Sequence, residues 1–252
     1  MRKAVWLGLL YCCTWGLAAA DEVSGAGRPL VFGTEATYPP FEYRDDAGQL
    51  VGIDIDVAHA VCELLQRPCI IIEHPFDSLL DELEDGELDA VIAALDISSR
   101  YDNSIRFSDP YYRNSAVYVT LKDATDRYAK SGYIGVQNGS SHQQYLIDQR
   151  QWQLTSYDDL NGALNELRAG RISAIFVDAA VANAWLSDPA NKDLRLMGSP
   201  IRDLRYFGRG MGIALSRGER SDALLDAINK ALAKLREDKS LDHILSHYLQ
   251  VH

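Results

Sequence analysis

Apolar residues along this chain fall into two alternating rhythms: short continuous runs, and longer stretches where they recur at three- and four-residue spacing. Short apolar runs bounded by turn residues read as buried strands, and a 3.6-residue rhythm reads as an amphipathic helix. On that basis residues 30–34 form a strand. Residues 56–66 form a helix carrying Val57, Val61, Leu64 and Leu65 on one face, stopped by Pro68. Residues 69–73 make the next strand, 76–85 a helix ended by Gly86, and 90–94 a buried strand. Near the end, 211–216 is strand-like and precedes helices over 220–237 and 240–249. Strands alternating with helices predict an α/β protein.

The pattern also echoes itself. Phe76-Asp77-Ser78-Leu79 leads to Gly86 and on to Leu88-Asp89-Ala90-Val91-Ile92, while Tyr157-Asp158-Asp159-Leu160 leads to Gly170 and on to Ile172-Ser173-Ala174-Ile175-Phe176. Each unit is helix, glycine stop and strand, and each strand runs into polar residues: Asp96 to Arg100 in one, Asp178 in the other. Two similar lobes would produce this echo, as would chance similarity between two helix–strand units. Ligands of open α/β sheets sit beyond the carboxyl ends of the strands, where both polar clusters fall. No Pro/Gly/Ser-rich linker separates the halves. The chain is therefore expected to cross between lobes more than once, which allows a hinge.

The first twenty residues are of another kind. Arg2 and Lys3 are followed by a nearly unbroken apolar run to Leu17 and by Ala18-Ala19-Ala20. A positive start, a short apolar core and small residues at its end predict a cleaved secretory signal peptide over 1–20. Tyr11 before Cys12 argues against lipid attachment, which favours a small residue there. No later segment is apolar enough to span a bilayer, so the mature protein is expected to be free in the periplasm. Removing Arg2 and Lys3 with no acidic residue takes the formal charge from −11 to −13. So acidic a surface disfavours nucleic acid and anionic lipid and tolerates a cationic ligand. Cleavage leaves two cysteines, Cys62 and Cys69, and an oxidising compartment predicts a disulfide between them. Closing so short a loop stabilises the fold by about 2.5 kcal/mol through chain entropy.

Several segments together resemble a known family. They are Gly33-Thr34-Glu35-Ala36-Thr37-Tyr38-Pro39-Pro40-Phe41, Gly52-Ile53-Asp54-Ile55-Asp56, Phe76-Asp77-Ser78-Leu79, Phe107-Ser108-Asp109-Pro110-Tyr111-Tyr112, Gly135-Val136-Gln137-Asn138-Gly139-Ser140-Ser141-His142 and Tyr206-Phe207-Gly208. In this order they are similar to the periplasmic amino-acid-binding proteins of ABC importers, nearest to those for arginine and for lysine, arginine and ornithine. The resemblance runs from about Val31 to Leu249 and implies a two-lobed type II binding protein with a cleft and hinge. Lobe 1 would comprise 28–112 and 207–252, and lobe 2 would comprise 113–206. The cysteine pair also falls where relatives carry a disulfide.

The resemblance implies a role for each site residue, and the chemistry fits. An amino acid leaving water needs a partner for its carboxylate, its ammonium and any side-chain charge. Arg100 matches the guanidinium that grips the α-carboxylate through two parallel hydrogen bonds. The spacing departs from the family here, one residue short before Arg100 and one long after it. Backbone amides of Ser140 and Ser141, opening a helix, would add donors. Asp178, with Asp96 and the carbonyl of Ala94, would meet the α-ammonium. Glu35 would meet the distal cation, with Tyr38 and Phe76 flanking the ligand side chain. Helix capping by Asp178 and core packing by Phe76 are the alternatives that carry no function.

Arginine is the expected ligand, with lysine, ornithine, histidine and glutamine as alternatives, and an ABC importer the expected partner of a monomeric protein. No cofactor or metal is expected. A few proteins of this fold are dehydratases, but the candidate cleft residues include neither His nor Lys, so no enzymatic activity is expected. His74 and His142 read as surface or supporting residues. His243 and His247, four apart on a helix, have zinc-like spacing but no evident acidic third ligand. A sensor-domain reading would require a membrane segment or signalling domain after residue 250.

Overall fold

In the computed structural model the described residues are 27–98, 103–124, 132–207 and 209–249. The expected signal peptide and Arg100 lie outside them.

The alternating pattern resolves into two open five-stranded sheets of the same design. The first is centred on β1 (Leu30–Thr34), flanked in parallel by β5 (Cys69–Glu73) and β6 (Ala90–Val91). Two antiparallel strands complete it, giving the order β5-β1-β6-β13-β7, with β13 at Ala214–Ser216 and β7 at Ile105–Phe107. The second sheet is centred on β9 (Tyr133–Gln137), with β10 (Gln153–Tyr157) and β11 (Ala174–Asp178) parallel to it. Antiparallel β8 (Ala116–Leu121) and β12 (Leu194–Ile201) extend it to the order β10-β9-β11-β8-β12. A small meander of β2 (Thr37–Tyr38), β3 (Glu42–Arg44) and β4 (Leu50–Val51) follows β1.

Helices cover the sheet faces because their apolar stripes need burial. α1 (Ile53–Leu64) buries Ile53, Val57, Ala58 and Val61, and the disulfide Cys62–Cys69 ties its last turn to the start of β5. The repeated unit is visible in three dimensions. α2 (Leu79–Glu84) ends before Gly86, at φ 80°, and leads to β6; α4 (Leu160–Arg168) ends before Gly170, at φ 70°, and leads to β11. Left-handed φ at both stops is why glycine serves there. Asp159 caps α4 by accepting hydrogen bonds from the amides of Asn161 and Gly162. The remaining helices are α3 (Ser141–Gln149), α5 (Ala179–Ser187), α6 (Glu219–Glu237) and α7 (Ser240–Tyr248).

The chain leaves the first sheet after β7, builds the whole second sheet, and returns to β13. It therefore crosses twice, and Met211 bridges both Asp96 and Tyr112 at the crossing. Four local expectations need adjustment, the first being the strand over 211–216, which is confined to Ala214–Ser216. The helix over 56–66 starts earlier, at Ile53; the stretch over 76–85 opens with a 3-10 turn at Phe76–Ser78 before α2. The strand over 90–94 ends at Val91, because the backbone turns left-handed at Ala94, at φ 48°. No helix among the described residues is long and apolar enough to cross a membrane.

Candidate functional site

Parallel strands deliver their carboxyl ends to the gap between the two sheets. β1 presents Glu35, the segment after β6 presents Ala94 and Asp96, β9 presents Ser140, and β11 ends in Asp178. Tyr38, Phe76, Ala94, Asp96, Ser140, Ser141 and Asp178 line one cavity, together with Gln137 and His142. Of the other two expected site residues, Glu35 hydrogen-bonds Gln137 at its edge, and Arg100 lies outside the described residues.

Glu35 is 4% exposed. It accepts hydrogen bonds from Gln137 Nε2 at 2.7 Å and Thr37 Oγ1 at 3.2 Å. Burial outweighs these bonds and pushes its carboxyl up to about 7. A cation beside it would reverse that balance.

Asp178 is 2% exposed and sits at the centre of a polar network. The Tyr38 hydroxyl donates to one of its oxygens and the Asn114 amide to the other. Asn114 Nδ2 also donates to Asp96 Oδ1 at 2.8 Å. His142 Nε2 lies 3.2 Å from Asp178 Oδ1. Burial and the neighbouring Asp178 charge drive the Asp96 carboxyl well above its usual range, with His142 opposing. The Tyr38 phenol is likewise held up, by burial and then by Asp178, so it remains a donor. Asp178 precedes α5 but makes no side-chain cap bond to it. Helix capping therefore does not explain why this carboxylate is there.

Ala94 is shaped from behind. Its amide donates to Asp54 Oδ2 at 2.6 Å, and the Tyr111 hydroxyl donates to the same oxygen at 3.0 Å. An alanine at φ 48° is strained backbone, and this buried carboxylate holds it. Burial raises Asp54 to about 6 and pushes its fully buried neighbour Glu42 much further up.

On the second sheet, Ser140 caps α3: its Oγ accepts from the Gln143 amide at 3.1 Å and donates to the Gln137 carbonyl at 2.8 Å. That leaves the first amides of α3 facing the cavity with the positive end of the helix behind them, a ready site for a carboxylate. Phe76 does both things expected of it. It lines the cavity and is packed, half-buried, against Leu79, Leu83 and their neighbours.

The two halves touch across the gap through Tyr38–Asp178, Gln137–Glu35 and an Asn138 Nδ2 to Asp77 Oδ2 bond of 3.0 Å. The enclosed space is about 20 Å³, room for about one water. An amino acid enters only if the halves separate first.

Three residues at the site were not among those expected to bind ligand: Gln137, Asn114 and His142. Gln137 and His142 stand inside a quoted motif, yet nothing in their spacing indicates that they reach the carboxylates. Of the two readings of His142, surface or supporting residue, burial excludes the surface one, since it is 5% exposed and lines the cavity beside Asp178. His74, by contrast, pairs with Glu82 at 3.0 Å away from it, and His243 and His247 are exposed. Donor atoms of Asp96, His142 and Asp178 lie within 4.8 Å of one another. Among the described residues this is the cluster with the chemistry to hold a cation, inorganic or organic.

Residues 30–251 match the bacterial extracellular solute-binding proteins, family 3. The chain is 38% identical over 247 residues to the ABC transporter arginine-binding protein 1 of Escherichia coli K12, covering 97% of each. It is 31% identical to the lysine/arginine/ornithine-binding periplasmic protein of the same strain, covering 91% of each. A Salmonella typhimurium periplasmic binding protein of high arginine specificity superposes with a TM-score of 0.82 at 38% identity, covering 89% of this chain and 100% of that one. The protein belongs to family 3 of the bacterial extracellular solute-binding proteins, which bind solutes for transport and are not enzymes.

Proposed function

We propose that the protein captures arginine between its two lobes and delivers it to an ABC importer. The observation that carries this reading is the meeting of three carboxylates, Glu35, Asp96 and Asp178, in one buried gap. Two cationic groups would neutralise what is otherwise a costly concentration of like charge. The α-ammonium lies against Asp178 and Asp96, near the Ala94 carbonyl. The guanidinium reaches Glu35 between the rings of Tyr38 and Phe76, with Gln137 as the neighbour that orients the carboxylate. The α-carboxylate meets the Ser140 and Ser141 amides and Arg100. Likeness to arginine-binding relatives supports the choice of ligand.

In this reading lobe 1 comprises 28–112 and 207–252, lobe 2 comprises 113–206, and the protein works as a periplasmic monomer after loss of residues 1–20. Ligand stabilises the closed form by binding it better than the open one. Lysine and ornithine are the competing ligands, favoured by the lysine/arginine/ornithine-binding relative; histidine and glutamine remain in the same panel.

Micromolar capture requires about −8 kcal/mol, or about −0.7 kcal/mol per non-hydrogen atom of arginine, within reach of small ligands. Calorimetry of ligand-stripped protein against the twenty amino acids plus ornithine and citrulline tests the reading. Arginine should bind far tighter than citrulline, which has its shape without its charge. Equal affinities would refute the role of Glu35, and tighter binding of another amino acid would replace arginine.

A further inference from the structure

His142 faces the same carboxylate that the proposed function gives to the ligand ammonium. Its Nε2 is 3.2 Å from Asp178 Oδ1, an ion-pair distance without an aligned hydrogen bond, and its ring lies against Phe176 and Phe207, at 5.3 and 4.9 Å between centroids. These aromatic walls leave the imidazole no room to turn to solvent.

The pair is also local to one lobe. His142 is the second residue of α3 and Asp178 ends β11, and both elements belong to the second sheet's layer. Tyr38 reaches Asp178 from the other lobe, while Asp96 lies beside the crossing at Met211 and is joined to Asp178 through Asn114. With the lobes apart, Asn114 and His142 are the partners that remain beside a deeply set carboxylate. A buried carboxylate requires such a partner.

We propose that His142, as imidazolium, is the resident counter-ion of Asp178, and that an incoming α-ammonium takes its place and drives its Nε2 proton into solvent. The step balances as one cation bound and one proton released. It deepens the arginine reading and rests on it, although any α-amino acid carries the same ammonium. The groups facing His142 are consistent with the imidazolium form. Asp178 at the end of β11 and Asp96 from the first lobe both favour it, and the Tyr38 phenol on β2 stays neutral. The Glu35 charge acts on the Tyr38 phenol. In the closed arrangement Asp178, by charge and by hydrogen bonding, and after it Asp96 outweigh the burial that opposes the charge, so His142 holds its proton above its ordinary value.

Such a pair makes capture proton-linked. Below the raised value, each unit of acidification should weaken apparent affinity by about tenfold through this one group. Glu35 adds its own proton release when a guanidinium ionises it, so the informative quantity is the difference between two proteins.

Calorimetry at pH 6 in phosphate and in bis-Tris, two buffers that differ in ionisation enthalpy, gives the protons released per arginine bound, for wild type and His142→Gln. Wild type should release close to one proton more than the variant, and the variant should show a flatter dependence of Kd between pH 5 and 7. Equal proton counts and parallel pH profiles would overturn the proposal by placing the released proton on Asp96 or Glu35. Should His142→Gln fail to fold, ring-labelled histidine NMR of wild type decides the matter. The His142 signal should move from imidazolium to neutral on adding arginine at pH 6, and a signal that stays put overturns the proposal. If arginine does not bind at all, the ligand assignment fails, and the same measurement with whichever amino acid binds still tests His142.

Discussion

Glu35 offers the sharpest test, because one substitution should have opposite effects on the free and the bound protein. Its carboxyl is raised from 4.5 to about 7 in the fold. A raised carboxyl contributes stability that is fully present below its unfolded value and lost as pH rises through about 7. The shift corresponds to about 3 kcal/mol at pH 8. Glu35→Gln removes the charge that burial penalises while keeping the shape and one acceptor. Free protein should therefore melt several degrees higher than wild type at pH 8, and at nearly the same temperature at pH 5. Arginine binding should move the other way. Removing one partner of a buried, hydrogen-bonded charge pair costs about 2–4 kcal/mol, a rise in Kd of about 30- to 1,000-fold. Citrulline, with no charge to lose, should change by less than about tenfold. Thermal melts at the two pH values and calorimetry with the two ligands read all four numbers. If arginine and citrulline lose equally, Glu35 is not the partner of the guanidinium. If the pH 8 melt falls instead of rising, the charge is already satisfied within the protein and the electrostatic argument is wrong.

Further expectations can be checked with the same assays. Arg100→Ala should abolish measurable binding of every α-amino acid; retained affinity would move the carboxylate anchor elsewhere, for instance to Arg106 or Arg113. Gly139 has φ 73°, and a Cβ there would lie 3.3 Å from Asp77 Cβ across the gap. Gly139→Ala should cost about 1 kcal/mol of stability through its backbone and raise the arginine Kd several-fold, whereas an unchanged Kd would mean that the lobes do not close at Asp77. Replacing both Cys62 and Cys69, seven residues apart, with serine should lower stability by about 2–3 kcal/mol in denaturant melts. It should leave arginine affinity unaltered, because the bridge sits at the start of β5, away from the strand ends that form the site.

Much of the architecture was legible because it follows from local periodicity. The apolar runs at 30–34 and 69–73 became β1 and β5 within the same bounds, and the helix–glycine–strand echo corresponds to equivalent units in two sheets of like order. Glu35 and Asp178 could be nominated because each follows a strand, where the ligands of open α/β sheets sit, and because the resemblance to amino-acid-binding proteins gave each a role. The strand at 90–94 was overextended because an apolar run does not reveal a left-handed residue. Only the Asp54 carboxylate, arriving from α1, holds Ala94 in that conformation.

His142, Gln137 and Asn114 show where reading along the chain stops. Each acquires its role only through a partner far away along the chain: Gln137 with Glu35 at 102 residues' separation, Asn114 with Asp178 at 64. The chain alone determined that there would be two α/β units with acidic groups at their strand ends, since hydrophobic rhythm and turn residues act over a few positions. Which of those groups would face one another, and which histidine would share their burial, was decided by the folding of one lobe against the other. Electrostatic energy depends on distance through space and on exclusion of water, and neither quantity is written in the order of the residues.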